Sequence, residues 1–311
     1  MTGYILRRLA YMVPVLFLIT LFIFFLVRFV PGDPAAIMLG TRASEENMAE
    51  LRAYLELDEP YLVQYGVFMR NLTRGDLGDS IRQRRPVTDI LAERIPPTLF
   101  LVGFAGLLSV LISAPLAAAA AMNQGTWIDQ AVRLYTLLAL AMPAYWIGMM
   151  MLQLFAVKMN IFPVAGYGEG FLGHVESLFL PALALALAIS SILIRSLRNS
   201  ILETVGADYV RTARAKGLSG RRVFIWHILR NSAMSTVTIL AVNLAFLIGG
   251  TTIVESIFAI PGLGQLLIRS IFDRDYPIIQ GATLAFGVMV LFINLATDIS
   301  YAILDPRLSY S

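Results

Sequence analysis

Six apolar runs dominate this chain, at 9–30, 97–122, 132–157, 179–197, 233–255 and 278–304. Each is near the roughly 20 residues that carry a helix across the hydrocarbon core of a bilayer. Lipid offers no partners to backbone N–H and C=O groups, and isolated strands cannot satisfy theirs there, so every run is predicted to be a helix. Composition agrees. Of 311 residues 58% are hydrophobic and 14% are charged, against about 25% charged in soluble domains. The expected fold is an all-α integral membrane protein with six transmembrane helices.

The first run follows Arg7 and Arg8. It exceeds the roughly 7–15 apolar residues of a signal-peptide core, and no clear small-x-small site follows it, so it reads as a retained span. The next segment, 31–94, is polar. It holds helix-like stretches at 44–57 and 61–72, with Ser44 as a weak helix start, and a turn-rich piece, GDLGDSIRQRRPV. The chain is thus expected to divide into 1–30 (terminus and first span), 31–94 (a small extracytoplasmic helical segment) and 95–311 (a five-helix core with a basic loop at 198–232). Pro115 and Pro143 lie inside spans, where each is either a kink or gate or a tolerated residue without a role.

Six spans put both termini on one side. That side carries Arg7, Arg8, Arg133, the cluster in 198–232 and Arg307. The 31–94 segment has eight Arg, but also eleven acids, and segments beyond about 60 residues translocate largely regardless of charge. Setting it aside leaves Lys158, Arg269 and Arg274 opposite. Both termini and the basic loop are therefore expected to be cytoplasmic.

Charges inside the spans are Arg28, Arg195, Glu255 and Asp298. Each costs roughly 2.5–3.5 kcal/mol if central. Arg28 and Glu255 lie near outer ends and are expected to snorkel. Arg195 and Asp298 lie one to two turns inside the cytoplasmic edge; they either face each other as a pair, with Asn294 nearby, or reach headgroups separately.

Several chemistries are missing from the sequence. With no cysteine, disulfides and thiolate sites are excluded. His174 and His227 fall in different loops and are not expected to hold a metal. The two lysines, Lys158 and Lys216, sit in VKM and AKG contexts, so no G-K-[ST] phosphate loop exists. H-E-x-x-H, G-x-S-x-G and G-x-G-x-x-G are likewise absent. An enzyme is not expected, and the chain itself calls for no cofactor.

The densest basic patch is ADYVRTARAKGLSGRRVFIWHILRN, 207–231. As one straight helix, 197–231 would run about 50 Å and could not return to a neighbouring span. Gly217-Leu218-Ser219 is the predicted break, since glycine suits the position after a helix and serine the start of the next. The first helix, about 207–216, presents Tyr209, Ala213 and Lys216 at i, i+4 and i+7. Ala213 and Gly217 are expected to leave a shallow surface that a partner approaches closely. A second helix from Gly220 carries Val223, Phe224, Ile228 and Leu229. Lipid electrostatics contributes but does not require the break. The turn also looks like a helix-turn-helix, yet its place between two spans argues against nucleic acid as a partner. A docking helix for a cytoplasmic protein remains.

This segment resembles the EAA loop of binding-protein-dependent ABC transporter permeases, in the dipeptide/oligopeptide variant. The general pattern is E-A-A, three residues, Gly, nine residues, I-x-L-P. Here it reads Arg211-Thr212-Ala213, Gly217, then His227-x-Leu229-Arg230, so the first Glu and Ala and the last Ile and Pro are replaced. The resemblance covers the whole chain through Pro31-Gly32-Asp33-Pro34, Gly75-Asp76-Leu77-Gly78, Arg85-Pro86-Val87, Pro261-Gly262-Leu263-Gly264, Arg274-Asp275-Tyr276-Pro277 and Asp305-Pro306-Arg307.

The resemblance implies a B-type inner-membrane permease with the type I ABC importer fold and an EAA coupling helix. It implies a second homologous permease, two ATP-binding subunits that hold ATP and Mg, and an extracytoplasmic substrate-binding protein. Carried onto this chain, the ATPase-docking residues are Asp208, Tyr209, Arg211, Thr212, Ala213, Arg214, Ala215, Lys216 and Gly217. The segments 31–94 and 256–277 would form the platform for the binding protein. Ser190, Asn243, Thr251, Thr252 and Asn294 either line the path or join helices through hydrogen bonds. Few fixed charges along the path fit short peptides, and equally glutathione or a chelated metal. A stand-alone secondary transporter or channel would instead show an internal repeat and a midplane ion site, and neither is evident.

Overall fold

The computed structural model describes residues 2–28, 34–40, 44–54 and 58–304. Helices α1 (Thr2–Arg28), α2 (Pro34–Leu39), α3 (Glu45–Tyr54) and α4 (Tyr61–Thr73) are followed by α5 (Val87–Met122), α6 (Trp127–Ala141) and α7 (Ala144–Met151). Then come α8 (Gly170–Val205), α9 (Asp208–Ala215), α10 (Gly220–Arg222), α11 (Arg230–Ile257), α12 (Leu263–Asp273) and α13 (Tyr276–Leu304). Wider π turns continue α7 through Leu152–Lys158 and join α10 to α11 through Val223–Leu229. Among the described residues the extended pairing is one isolated bridge, Asp79 with Pro86.

Five helices are long and apolar enough to cross a membrane, and the bent pair α6 and α7 makes a sixth when taken as one broken span. The all-α, six-span expectation therefore holds. The helices overrun the apolar runs, however. α5 and α8 each have 36 residues, about 54 Å at 1.5 Å per residue. That exceeds the roughly 30 Å hydrocarbon core by several turns at the ends. Hydropathy sees only the part that lies in lipid.

The two inner prolines behave differently. α5 runs through Pro115 without ending. At Pro143 the chain turns by 98° between α6 and α7. Met142 is extended, with ψ at 127°, as the residue before a proline prefers. Pro143 then stands as the N-cap of α7, where its missing N–H costs nothing.

The chain divides into two compact units. The first comprises 99–260 and 292–304. Its centre is α8, which packs against α11, α7 and α6. Small residues let the helices close up: Gly148 abuts Phe258 and Ala184, and Gly106 abuts Leu244. The second unit comprises the described residues of 2–98 and 261–291. There α1 is pinned to α4 by Phe17, Phe24, Tyr65 and Phe68, and Thr20 and Tyr65 share a 3.0 Å hydroxyl hydrogen bond. Ser44 caps α3 by accepting from the Asn47 amide at 3.1 Å. Thr98 caps α12 by accepting from the Leu263 amide at 2.8 Å.

Candidate functional site

The basic segment folds as two breaks around a short helix. α8 ends at Val205, α9 occupies Asp208–Ala215, and the chain turns again at 216–219. Gly217 takes φ +78°, a conformation that favours glycine. The Gly217 amide bonds the Arg214 carbonyl at 2.9 Å and the Leu218 amide the Ala213 carbonyl at 3.4 Å. These two bonds form a Schellman cap, which satisfies carbonyls a helix end would leave bare. The break predicted from Gly217-Leu218-Ser219 is therefore real. Ser219 stands at the start of α10, although its hydroxyl makes no capping bond there.

α9 has a sharp division of faces. Val210 and Ala213 are buried, while Asp208, Tyr209, Arg211, Thr212, Arg214, Ala215, Lys216 and Gly217 are exposed. Ala213 corrects the sequence reading: it is 5% exposed and serves the protein's own core instead of a partner. Its small side chain lets α9 lie close to its mount. That mount is a cluster of Ala117, Ala120 and Ala121 from α5, Val132 from α6, Ile194, Leu197 and Ile201 from α8, and Val223 and Ile228 from the π turn. The outer face carries the charges of Asp208, Arg211, Arg214 and Lys216 and the ring of Tyr209. Asp208 and Arg211 form an exposed 3.6 Å pair, which contributes little to stability. The Tyr209 hydroxyl accepts from Asn231 at 3.3 Å, tying α9 to α11.

Beside this mount lies a carboxylate the sequence reading passed over. Asp129, in the first turn of α6, has no solvent exposure. Its Oδ1 accepts from Arg198 Nε at 2.8 Å, and its Oδ2 accepts from Arg198 Nη2 at 2.8 Å, Arg133 Nη2 at 3.1 Å and the Gly125 amide at 3.1 Å. The sequence signal was the i, i+4 spacing of Asp129 and Arg133 just after a glycine turn. The partner on α8, 69 residues on, was invisible.

Of the two readings for Arg195 and Asp298, the exposure of Arg195 does not support the pair; the arginine of α8 that enters the protein is Arg198, one turn on. Glu255 does not snorkel. It has no solvent exposure, and its backbone carbonyl accepts from the Ile260 amide at 2.8 Å. The five polar residues offered for a path separate by burial. Ser190 is sealed inside, sharing a 2.7 Å hydrogen bond with the Tyr135 hydroxyl, and Thr251 is sealed with its hydroxyl on the Ile248 carbonyl. Both join or pack helices instead of lining a surface. Asn243 and Thr252 are half-buried and Asn294 is exposed.

In the second unit two of the quoted motifs meet. The loop after Gly78 closes on itself, with the Val87 amide on Gly78 and the Ser80 amide on Arg85. Its Ser80 hydroxyl donates to Asp275 Oδ2 at 2.6 Å, the Arg82 amide to the same oxygen at 3.1 Å, and the Ile81 amide to Oδ1 at 3.4 Å. Asp275 is 1% exposed. It follows Arg274, whose φ of +56° ends α12. Arg82 Nε adds a bond to the Asp273 carbonyl at 3.3 Å. The motif residues 31–33 and 305–307, and the side chain of Arg28, lie outside the described residues.

Residues 113–310 match the family model described as binding-protein-dependent transport system inner membrane component, and residues 1–102 match the corresponding N-terminal model. A protein of Brucella suis biovar 1 (strain 1330), provisionally named a peptide transport system permease protein, is 39% identical over 100% of both chains. The glutathione transport system permease protein of Salmonella choleraesuis (strain SC-B67) is 36% identical, again over 100% of both. Among solved structures, an inward-facing MetNI methionine ABC transporter shares the fold at a TM-score of 0.56 and 15% identity, covering 70% of this chain and 96% of that one. With both ends matched and full-length relatives alongside, the chain belongs to the family of binding-protein-dependent transport system inner membrane components, a family of multi-pass membrane permeases and not of enzymes.

Proposed function

We propose that this permease pairs with a second homologous permease to form the path of an ATP-driven importer for short peptides in a bacterial inner membrane. Two separate ATPase subunits would bind ATP and Mg, and an extracytoplasmic binding protein would deliver substrate. The names of the full-length relatives, one for peptides and one for glutathione, itself a short peptide, support the substrate class.

The observation that carries this reading is the construction of α9. Eight residues from Asp208 to Gly217 face outward, and two, Val210 and Ala213, bind the helix to four other elements. An exposed helix held this way delivers a push to several spans at once. Closure of the ATPase pair would displace α9, and the attached spans would swing from inward-facing to outward-facing; hydrolysis would reset them. Both termini and α9 would lie in the cytoplasm. The loop 78–87 with its Asp275 anchor would belong to the outer platform for the binding protein. Asn243, Thr252 and Asn294 keep some exposure and are the polar residues left for the path, whose lack of fixed charge suits diverse peptides.

Gly217→Trp tests the docking. Any side chain at φ +78° is strained, and an indole there would spoil both the cap and the outer face. The variant is expected to insert in the membrane normally and to lose its ATPase subunits on purification. Recovery of stoichiometric ATPase with this variant would refute the assignment.

A further inference from the structure

The cluster under α9 is apolar and made largely of small residues where α5 meets it: Ala114, Ala117, Ala118, Ala120 and Ala121, with Leu116 the larger side chain among them. Alanine faces pack closely but give little resistance to sliding, because an alanine makes no deep knob. A directional contact would hold the α5–α6 turn in register with α8. Asp129 is placed to do so. Its four hydrogen bonds gather the turn through the Gly125 amide, its own helix through Arg133 and α8 through both nitrogens of the Arg198 fork. Arg198 lies next to Leu197 and one turn from Ile201, and both of those reach the cluster that carries Val210 and Ala213.

We propose that the Asp129–Arg198 pair is a positioning device that fastens the α5–α6 turn to α8, so that both move with α9 as one body during the transport cycle. Stability alone does not call for charge at this place, since well-packed apolar residues commonly do as well as a buried ion pair. What the pair adds is direction. A bidentate guanidinium–carboxylate contact fixes angle as well as distance, and apolar contact does not. From Asp129 the helix α6 leads to the 98° turn at Pro143, so a small angular slip at the fastened end would be carried to α7. The device would serve coupling, and the proposal rests on α9 being the ATPase-docking helix.

The test uses the complete transporter in proteoliposomes with its binding protein. Asp129→Asn keeps the shape of the side chain and removes its charge. The variant is expected to retain ATP hydrolysis within about twofold while uptake falls at least tenfold, raising the ATP spent per substrate imported. Asp129→Glu should recover much of the uptake. If hydrolysis and uptake fell together with their ratio unchanged, or if neither moved, the pair would have no positioning role. Should Asp129→Asn fail to assemble, a second measurement decides. The chain has no cysteine, so spin labels can be placed uniquely at Gln124 and Glu203, both exposed and outside α9. Their separation should stay the same in the nucleotide-free and ATP-trapped complexes, and a shift of several ångströms between them would overturn the proposal. Absence of ATP-driven uptake in the wild-type complex would strike the docking reading first and take this one with it.

Discussion

Two buried aspartates, one in each unit, are held in opposite ways. Asp129 is held by charge, from Arg198 and Arg133, with a single backbone amide added. Asp275 is held by neutral donors, the Ser80 hydroxyl and two successive backbone amides, and Arg82 reaches past it to a carbonyl. A charge pair binds two helices across a packed interface and leaves a matching charge stranded if one partner goes. A cage of amides exists only while its loop keeps one conformation, so the carboxylate and the loop define each other. The first arrangement suits elements that transmit motion, the second a loop that must keep its shape.

Three substitutions sharpen this contrast. Asp129→Ala should be the most damaging, because Arg198 is left largely buried without its partner. Loss of one member of a buried pair costs roughly 3–5 kcal/mol, and the half-exposed Arg133 beside it brings water near, so about 2–3 kcal/mol is expected. Thermal unfolding of the purified complex would show the drop, and high salt should not mimic it. Equal stability of variant and wild type would mean the charge holds nothing.

Asp275→Ala comes next. It strands a hydroxyl and two amides without stranding a charge, for about 1–2 kcal/mol. The expected signature is local: faster hydrogen exchange at the Ile81 and Arg82 amides and earlier proteolysis within 79–86, with α9 untouched. If exchange accelerated throughout the chain, the cage would be a global support instead of a loop clamp. Arg133→Ala should be smallest. Its side chain is half exposed while Arg198 makes two of the four bonds to Asp129. A change within about 0.5 kcal/mol is expected, and a loss equal to that of Asp129→Ala would show that Arg133, and not Arg198, is the principal partner.

Much of the architecture was legible because lipid imposes a strong rule on sequence. Runs near 20 apolar residues located every span, and Gly217 located the turn after α9 because few residues other than glycine accept its φ. The direction of Ala213 was not legible. Spacing placed it on a face with Tyr209 and Lys216, but which face turns inward was decided by Val210 and by helices far off in sequence. The start of α5 was missed for a related reason: Asp89, Glu93 and Arg94 interrupt Val87, Ile90 and Leu91 in its first turns, so no continuous apolar run announces them. The contacts of Asp129 with Arg198 and of Asp275 with Ser80 join residues 69 and 195 positions apart. The motif around Asp275 could be quoted from the sequence, yet its neighbour in space could not.

The turn at Pro143 also says which solvent that side of the protein faces. A helix that stops leaves its last carbonyls bare, and one that starts leaves its first amides bare. At 141–144 both kinds of end lie together between the two apolar helices of the bent pair, and Ala141, Met142 and Pro143 are exposed in the single chain. Acyl chains cannot hydrate such groups. Where this permease sits in its membrane, the elbow of its broken span therefore belongs against water or another protein, which marks one flank of an otherwise greasy surface as turned away from the lipid.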